Sequence, residues 1–536
     1  MPTQRQHGGA QLVPINLTSP AFFGLNTEQA GSILGPEWAT VLRNAVFDSS
    51  GRPSARKGWN TLTTVPAAGA IKRVFEYWQA DTTSDVIFTT DNDILRNTGV
   101  PVSIAGSLTI TDGNIMFGNF NNDVVAFGVG TGGIPAIYTG TGTFNDIVVN
   151  SGTAPTGNIG TAAFGRLWIT DANRSTIRYS ALLDSTRWDA ADGGGVIDMH
   201  NIWPAGTDTI VAITEFGGDL IIFGENTTVI ATDGAGASLG IDPTQLYVSD
   251  TIPGVGAISQ FGITRAAGDL WVLTESGVVG LRREIVQRST PTSNISKNVQ
   301  SSLLEFLRLE QDVNDVTLVH SPVEDFVLAI FPTANRTVCF DTRFFLDDGT
   351  ARVTTWSLPL RTAVYITDSQ DLYGALDGTD GEVMRYAGND DASSTYSFTY
   401  ESGFLDLGEE AAIFLKFVKR LTSFVFIQTN TNVTHTLEYD FGADSFSDTR
   451  ATTGSAPSEY NISEFGPNGS RDPGDGTLIA GIDTAEYSGG VVLRVIPVPT
   501  GGGGQYIKVG LTVDTNNAKF ALQQINLFAR IGRMAN

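Results

Sequence analysis

The chain of 536 residues has little of what most enzymes use. It holds one cysteine and four histidines, and Asp, Glu, Lys and Arg together make up only 17% of it. One cysteine excludes a disulfide framework, so the fold does not depend on an oxidising compartment. Cys339 lies in the apolar run Thr337–Phe340 and reads as a small buried strand residue. His7, His200, His320 and His435 stand far apart, none with a second ligand at helical or strand spacing, and read as structural or incidental. There is no Gly-rich phosphate loop followed by Lys-Ser/Thr, and no Gly-x-Ser-x-Gly elbow. Gly501–Gly504 is a glycine run with no helix behind it. No apolar run approaches a membrane span. The opening Met1–Ala10 is polar and lacks an apolar signal core, so assembly in the cytoplasm is expected.

Positive charge is also scarce. Lys and Arg number 33 against 57 Asp and Glu, a net charge of −24. Such a surface repels nucleic-acid backbone and anionic lipid. The basic residues form small groups: Arg43, Arg52, Arg56 and Lys57; Lys72 and Arg73; Arg282, Arg283 and Arg288; Arg530 and Arg533. In so acidic a chain they are expected to pair with its own carboxylates or with those of another copy. Carboxylate pairs such as Asp91 and Asp93, Asp347 and Asp348, Asp390 and Asp391, and Asp472 and Asp475 fall in turn-rich sequence, where turn chemistry accounts for them. No complete calcium loop and no Ser-x-Asp-x-Gly-x-Thr-Trp box is present. No catalytic residue, metal or cofactor is assigned, and the chain reads as a non-enzyme.

What is present is a repeated phrase: a turn residue, three to five apolar residues, a Gly/Asn/Asp/Thr turn, then a second short apolar strand. GDLIIFGENTTVI (Gly218–Ile230) and GDLWVLTESGVVGL (Gly268–Leu281) are its clearest copies. Its first apolar positions are Val86, Val124, Leu167, Leu220, Leu270, Val327 and Leu372. Their spacing matches the ~40–50 residues of a four-stranded propeller blade. Residues such as Leu220, Ile221, Ile222 and Phe223 are apolar on both faces, so each sheet needs cover on both sides, which radial stacking supplies. The fold expected is therefore all-β: a β-propeller of six or seven blades over 71–400, an N-terminal arm over 1–70, and a smaller β-sandwich-like domain over 401–536. Its strands are expected at Phe417–Gln428, Thr434–Phe441, Val491–Val498, Gln505–Val513 and Phe520–Ile531, with a turn-rich loop over Gly442–Gly476. One helix interrupts the β pattern. Val299, Leu303, Phe306 and Leu307 form a helical stripe within 298–313, with Asn298 as its N-cap.

Several phrases point to a family. NAVFDSSGRPSARKGWNTL (Asn44–Leu62) resembles the N-terminal signature of tail nozzle proteins of short-tailed bacteriophages, of the tail tubular protein B and packaged-DNA stabilisation types. The matching positions are Asn44, Asp48, Gly51, Arg56 and Gly58. IRYSALLDSTRWDAADGG (Ile177–Gly194), with Trp188, resembles a second family phrase, and ESGFLDLGEE (Glu401–Glu410) resembles the opening of the family's C-terminal domain. The resemblance implies a structural virion protein in the phage tail, a homo-oligomer expected to be a hexamer. It would contact the tail adaptor protein, with tail fibres as a further candidate partner. It would close the tail and then conduct genome DNA without sequence-specific binding, through a lumen expected to be acidic. Deleting Met1–Leu42 is expected to leave a folded propeller that no longer joins particles. The competing reading is a carbohydrate-binding or carbohydrate-cleaving propeller acting in host recognition. Trp78, Trp168, Trp203, Trp271 and Trp356 would be its sugar-stacking rings, although Trp168 and Trp271 lie in apolar strands.

Overall fold

The computed structural model describes residues 12–64, 69–79, 83–97, 100–204, 206–233, 241–281, 293–378, 381–392, 394–406, 414–427, 431–452, 492–515 and 518–534. His7, Arg282, Arg283, Arg288, Arg533's side chain, Asp472, Asp475 and most of the stretch 442–476 lie outside this description. The chain divides into two compact units: Thr61–Ala351 with Ser357–Tyr386, and Met1–Asn60 with Arg352–Trp356 and Ala387–Asn536.

The first unit is a seven-bladed β-propeller. Each of the seven repeated hairpins supplies the second and third strands of one antiparallel blade. The seven second strands are Ser84–Thr90, Asp123–Ala126, Arg166–Thr170, Asp219–Gly224, Asp269–Thr274, Phe326–Phe331 and Asp371–Leu376. All seven repeat positions are buried, from Val124, Leu167, Leu220, Leu270 and Val327 at 0% exposure to Val86 at 8%.

Two-sided burial follows directly from the pleat, which sends alternate side chains to opposite faces. In the fourth blade, Leu220 and Ile222 pack into a cluster with Trp168, Ile177 and Tyr179 of the third. Ile221 and Phe223 pack the other way, against Leu270, Val272 and Val279 of the fifth. The second blade alternates likewise: Val124 and Ala126 join one cluster, and Val125 and Phe127 join the next. The seventh blade meets the first through Ile366, Ala375 and Val383 against Ile71, Val86 and Phe88, which closes the ring.

The closing strand comes from upstream of the first blade. The seventh blade consists of Leu360–Ile366, Asp371–Leu376, Glu382–Tyr386 and the strand Trp59–Thr64, whose residues from Thr61 onward belong to the propeller. Pairing an early strand with the last blade fastens the ring without a covalent link. It also means that the propeller ends at Tyr386 and takes in part of the segment expected to be an arm.

The helix is shorter than the sequence stripe suggests, running over Gln300–Leu309. Asn298 does not cap it. That residue lies in a 3-10 turn, Lys297–Val299, and donates to Thr350 Oγ1 at 3.0 Å. Only Leu303 on the helix is buried, while Phe306 packs against Phe331 at 6.0 Å.

The second unit is a two-sheet β-sandwich, and the N-terminal segment is part of it. One sheet has the order Val492–Pro499, Phe414–Ile427, Phe520–Met534, Pro53–Ala55, Ala45–Phe47, with Val13–Thr18 also paired to Phe520–Met534. The other contains Arg352–Trp356, Val41–Arg43, Ser397–Glu401, Ile507–Asp514, Asn432–Tyr439 and Asp444–Ala451. Phe398 and Phe520, one from each sheet, stack with centroids 4.9 Å apart between them. The strand Asp444–Ala451 falls in the stretch expected to be loop. It is an edge strand whose side chains are all exposed or half-buried, so it carries almost no apolar periodicity.

Candidate functional site

The first five signature residues gather at one corner of the sandwich unit. Asn44 sits between the strands Val41–Arg43 and Ala45–Phe47, which belong to different sheets. Its φ of 53° is left-handed, a conformation that asparagine tolerates better than most residues. The turn lets the chain step from one sheet to the other. Asn44 N–H donates to Thr355 O at 2.6 Å, and its side-chain amide donates to Ser397 O at 2.9 Å.

Asp48 and Gly51 shape the hairpin that follows. Asp48 Oδ1 accepts from the N–H groups of Ser50 and Arg52 at 2.9 and 3.0 Å, and Oδ2 holds Arg52 Nε at 2.8 Å. Gly51 closes the turn with its N–H on Asp48 O and a φ of 78°, where a side chain would be strained. A Cβ there would also stand 2.9 Å from the Phe22 ring.

Arg56 is the centre of the corner. It is 1% exposed and makes a bidentate pair with Asp391, NH1 to Oδ1 at 2.8 Å and NH2 to Oδ2 at 2.6 Å. NH1 also donates to Lys57 O, and Nε reaches Asn44 Oδ1 at 3.3 Å. The guanidinium lies 4.0 Å from the Tyr396 ring centroid and 5.5 Å from that of Trp356. The Tyr396 hydroxyl donates to Arg56 O, and burial pushes that phenol well above its ordinary range. A planar fork matched to a carboxylate and stacked on aromatics is a use for which lysine cannot substitute. Gly58 runs directly against residue 390: a Cβ would stand 1.9 Å from Asp390 O. These residues join the segment 44–58 to the segment 388–397 within one unit.

Trp188 is elsewhere, in the propeller. It is 2% exposed, in a cluster with Phe120, Val125, Phe127, Leu167 and Ile169. Its backbone is pressed by Gly152 and Gly194, where a Cβ would come within 2.6 Å. Asp189 caps the short turn Ala190–Asp192 by accepting from Ala191 N–H. The phrase around Trp188 thus seals the junction of the second and third blades.

The basic residues largely serve the chain's own carboxylates: Arg52 with Asp48 at 2.7 Å, Arg56 with Asp391 at 2.6 Å, and Lys72 with Asp91 at 3.3 Å. Trp168, Trp203, Trp271 and Trp356 are buried, which leaves no open ring face on them for a sugar. Cys339 is buried in the strand Arg336–Phe345. Among the described residues no three His, Cys, Asp or Glu side chains converge as a metal site. No helix of the described residues is long and apolar enough to cross a membrane.

The propeller axis holds what the sequence did not reveal. A cavity of about 350 Å³ is lined by Val74, Phe75, Phe117, Ile263, Val319 and Val364 on the first strands of five blades, and by Phe261 in the turn before one of them. Arg73 is the one Lys, Arg, Asp or Glu among its lining residues. It is 4% exposed, lies 3.6 Å from the Phe261 ring centroid, and donates to Thr317 Oγ1 and Asn314 O. Asp315, Asp112 and Asp312 act on it electrostatically, Asp315 most strongly, and Asp315 is itself engaged by Arg361 at 2.6 Å and by Asn114 Nδ2 at 2.8 Å. Burial is the main force lowering the Arg73 pKa to about 9, which leaves it cationic at neutral pH. His320, also on the wall, is lowered by burial too. In the sequence Arg73 looked like one more member of a small basic group, because the charge alone does not say which way a strand faces.

No family model matches the chain, and no curated protein matches it. Among solved structures it is similar to a catalytically inactive variant of virginiamycin B lyase from Staphylococcus aureus with quinupristin, at 10% identity over 61% of this chain and 98% of that one, TM-score 0.39. It is also similar to a protein from Lactobacillus plantarum, at 11% identity over 57% and 88%, TM-score 0.33. A third similarity is to Hsv2 from Kluyveromyces lactis, at 10% identity over 56% and 98%, TM-score 0.31. These similarities carry no argument about activity.

Proposed function

We propose that this protein is a non-catalytic building block of a short-tailed phage tail, the subunit of a nozzle that closes the tail and then conducts genome DNA. The observation that carries this reading is the Arg56–Asp391 corner. The residues that resemble the family signature act there as a structural fastening, with the roles of a turn, a crossover and a buried pin. A module of this kind suits assembly into a ring. The expected form is a hexamer in the virion tail below the adaptor, with fibres as further partners. A ring of this kind needs a heterologous interface, one patch meeting a different patch on the next copy. DNA would pass through the hole of that ring; the propeller axis, with its cavity of about 350 Å³, has no room for a duplex. The net charge of −24 favours sliding over gripping, because each basic contact to phosphate adds a salt-dependent hold.

The test is electron microscopy of the purified full chain, followed by labelling of intact phage particles with an antibody against it. Six-fold rings, and label at the tail tip, are the expected results. A monomer at high concentration together with label absent from the tail would overturn the reading. Turnover of a glycan by the monomer would favour the carbohydrate propeller instead.

A further inference from the structure

We propose that the propeller axis is a binding site for a small monocarboxylate with an apolar body, its carboxylate held by Arg73. The inference is independent of the tail reading and rests on four observations.

The first is the wall. Aliphatic and aromatic side chains such as Val74, Phe75, Phe117 and Ile263 line a partly open volume at the small end of ligand pockets, which run roughly 300–1,000 Å³. The second is charge. Arg73 lines this wall, and no carboxylate does. The third is incomplete pairing. Among the described residues Arg73 Nε is buried without a hydrogen-bond partner, while NH1 and NH2 each make one bond to a neutral oxygen. Asp315, which would be its natural counterion, already gives one oxygen to Arg361 and the other to Asn114. The fourth is Gln260, 9% exposed and on the same wall, whose Oε1 also lacks a partner among the described residues.

A buried guanidinium with a free N–H in an apolar chamber is costly unless an acceptor reaches it, and an anion is the best acceptor. A carboxylate would take the free donor. An alkyl or aryl body would cover the surrounding apolar surface. A fully hydrophilic anion such as sulfate would meet the charge but leave the walls in contact with its oxygens. Phe261 already covers one side of the guanidinium, which fixes its plane for an in-plane approach.

The experiment is calorimetric titration of the full chain with sodium hexanoate and, separately, with hexanamide, its neutral counterpart. Hexanoate is expected to bind tighter by roughly tenfold or more. Thr264→Trp, a half-buried wall position whose new ring would fill the chamber, is expected to abolish binding while the propeller stays folded. Arg73→Gln is expected to remove the preference for hexanoate; if that variant does not fold, Thr264→Trp decides the matter. Equal affinity for hexanoate and hexanamide, undiminished binding by Thr264→Trp, or no binding by the wild type would each overturn the proposal. None of these results bears on whether the protein sits in a phage tail.

Discussion

His435 Nε2 and Ser423 Oγ lie 2.8 Å apart, a single hydrogen bond that joins the two sheets of the sandwich through its core. His435 belongs to the strand Asn432–Tyr439, Ser423 to Phe414–Ile427, and the two are 1% and 0% exposed. Burial lowers the His435 pKa to about 4; Asp448 opposes this and Arg450 adds to it. Nδ1 has no partner among the described residues. The folded state therefore holds this imidazole neutral, while the unfolded chain protonates it near its ordinary 6.5. Between those values the unfolded state binds more protons, so stability falls as pH drops from about 6.5 to about 4. The loss is on the order of 3 kcal/mol. Urea unfolding at pH 7.5 and pH 4.5 should show it. The double variant Ser423→Ala with His435→Leu, which leaves neither group unpaired, should lose about one proton's worth of that slope.

Removing the buried Arg56–Asp391 ion pair should have a local signature. Arg56→Met leaves Asp391 without its bidentate partner and removes the guanidinium from the Tyr396 ring. Breaking one side of a buried pair costs roughly 3–5 kcal/mol, and the low end applies because Asp391 is 13% exposed. Hydrogen exchange should accelerate in 44–58 and 388–397 and stay unchanged in the seven blades. Arg56→Lys should recover little, since an ammonium cannot make the forked contact.

The propeller was legible because its signal is repeated. Val86, Val124, Leu167, Leu220, Leu270, Val327 and Leu372 mark one buried strand in each of seven sheets, and a pattern that recurs survives noise in any single copy. The closing strand Trp59–Thr64 was not legible. It pairs with Glu382–Tyr386, more than three hundred positions later, and its own sequence has no partner nearby to reveal it. The same reason hid the sandwich's use of Val13–Thr18 and Val41–Arg43, whose partners lie beyond residue 350. Asn44, Asp48, Gly51, Arg56 and Gly58 were found by resemblance, but their common corner was not, because Asp391 reads in the sequence only as turn chemistry and nothing there singles out Tyr396. The axial site was missed since Arg73 announces itself only when several blades are closed around it.

That placement of the N-terminal strands changes what a truncation should do. Deleting Met1–Leu42 removes Val13–Thr18 from one sandwich sheet and most of Val41–Arg43 from the other, but leaves Thr61–Thr64 to close the propeller. The truncated chain should keep a protease-resistant core spanning the seven blades and lose protection in 397–401 and 520–534. Full resistance throughout would mean the strand Val13–Thr18 adds nothing to the sandwich.

Gly58 offers a test that involves no charge. Its missing side chain lets the backbone run against residue 390, with Gly58 N–H on Gly388 O at 3.0 Å and Trp59 N–H on Asp390 O at 3.2 Å. A methyl group would meet Asp390 O at 1.9 Å and Asp390 N at 2.4 Å, and both are backbone atoms that cannot rotate away. Gly58→Ala should therefore push the two segments apart and weaken the Arg56–Asp391 pair beside them, at a cost of about 2 kcal/mol or more. Thermal unfolding should show the loss. Gly132→Ala is the control: nothing lies within 4 Å of its Cβ position, although its φ of 71° carries a smaller strain of its own.

The most severe single change should be a charge between blades. Ile222 is 1% exposed and packs with Trp168, Ile177, Ile213 and Val229, so its neighbours come from two sheets. Ile222→Asp would place a carboxylate there with no cation among those neighbours. The carboxyl could stay neutral only at the expense of an unsatisfied acid in an apolar layer. Losing the isoleucine contributes a further 2–5 kcal/mol by the usual scale of large-to-small core changes, roughly. Since total stability of a domain is only about 5–15 kcal/mol, the variant should accumulate in the insoluble fraction. Ile222→Val, which keeps shape and polarity, should stay soluble with a loss of about 1 kcal/mol. The pair of variants separates charge from volume: if Ile222→Asp were soluble and unfolded cooperatively, the blades could not be held together by apolar packing on both of their faces.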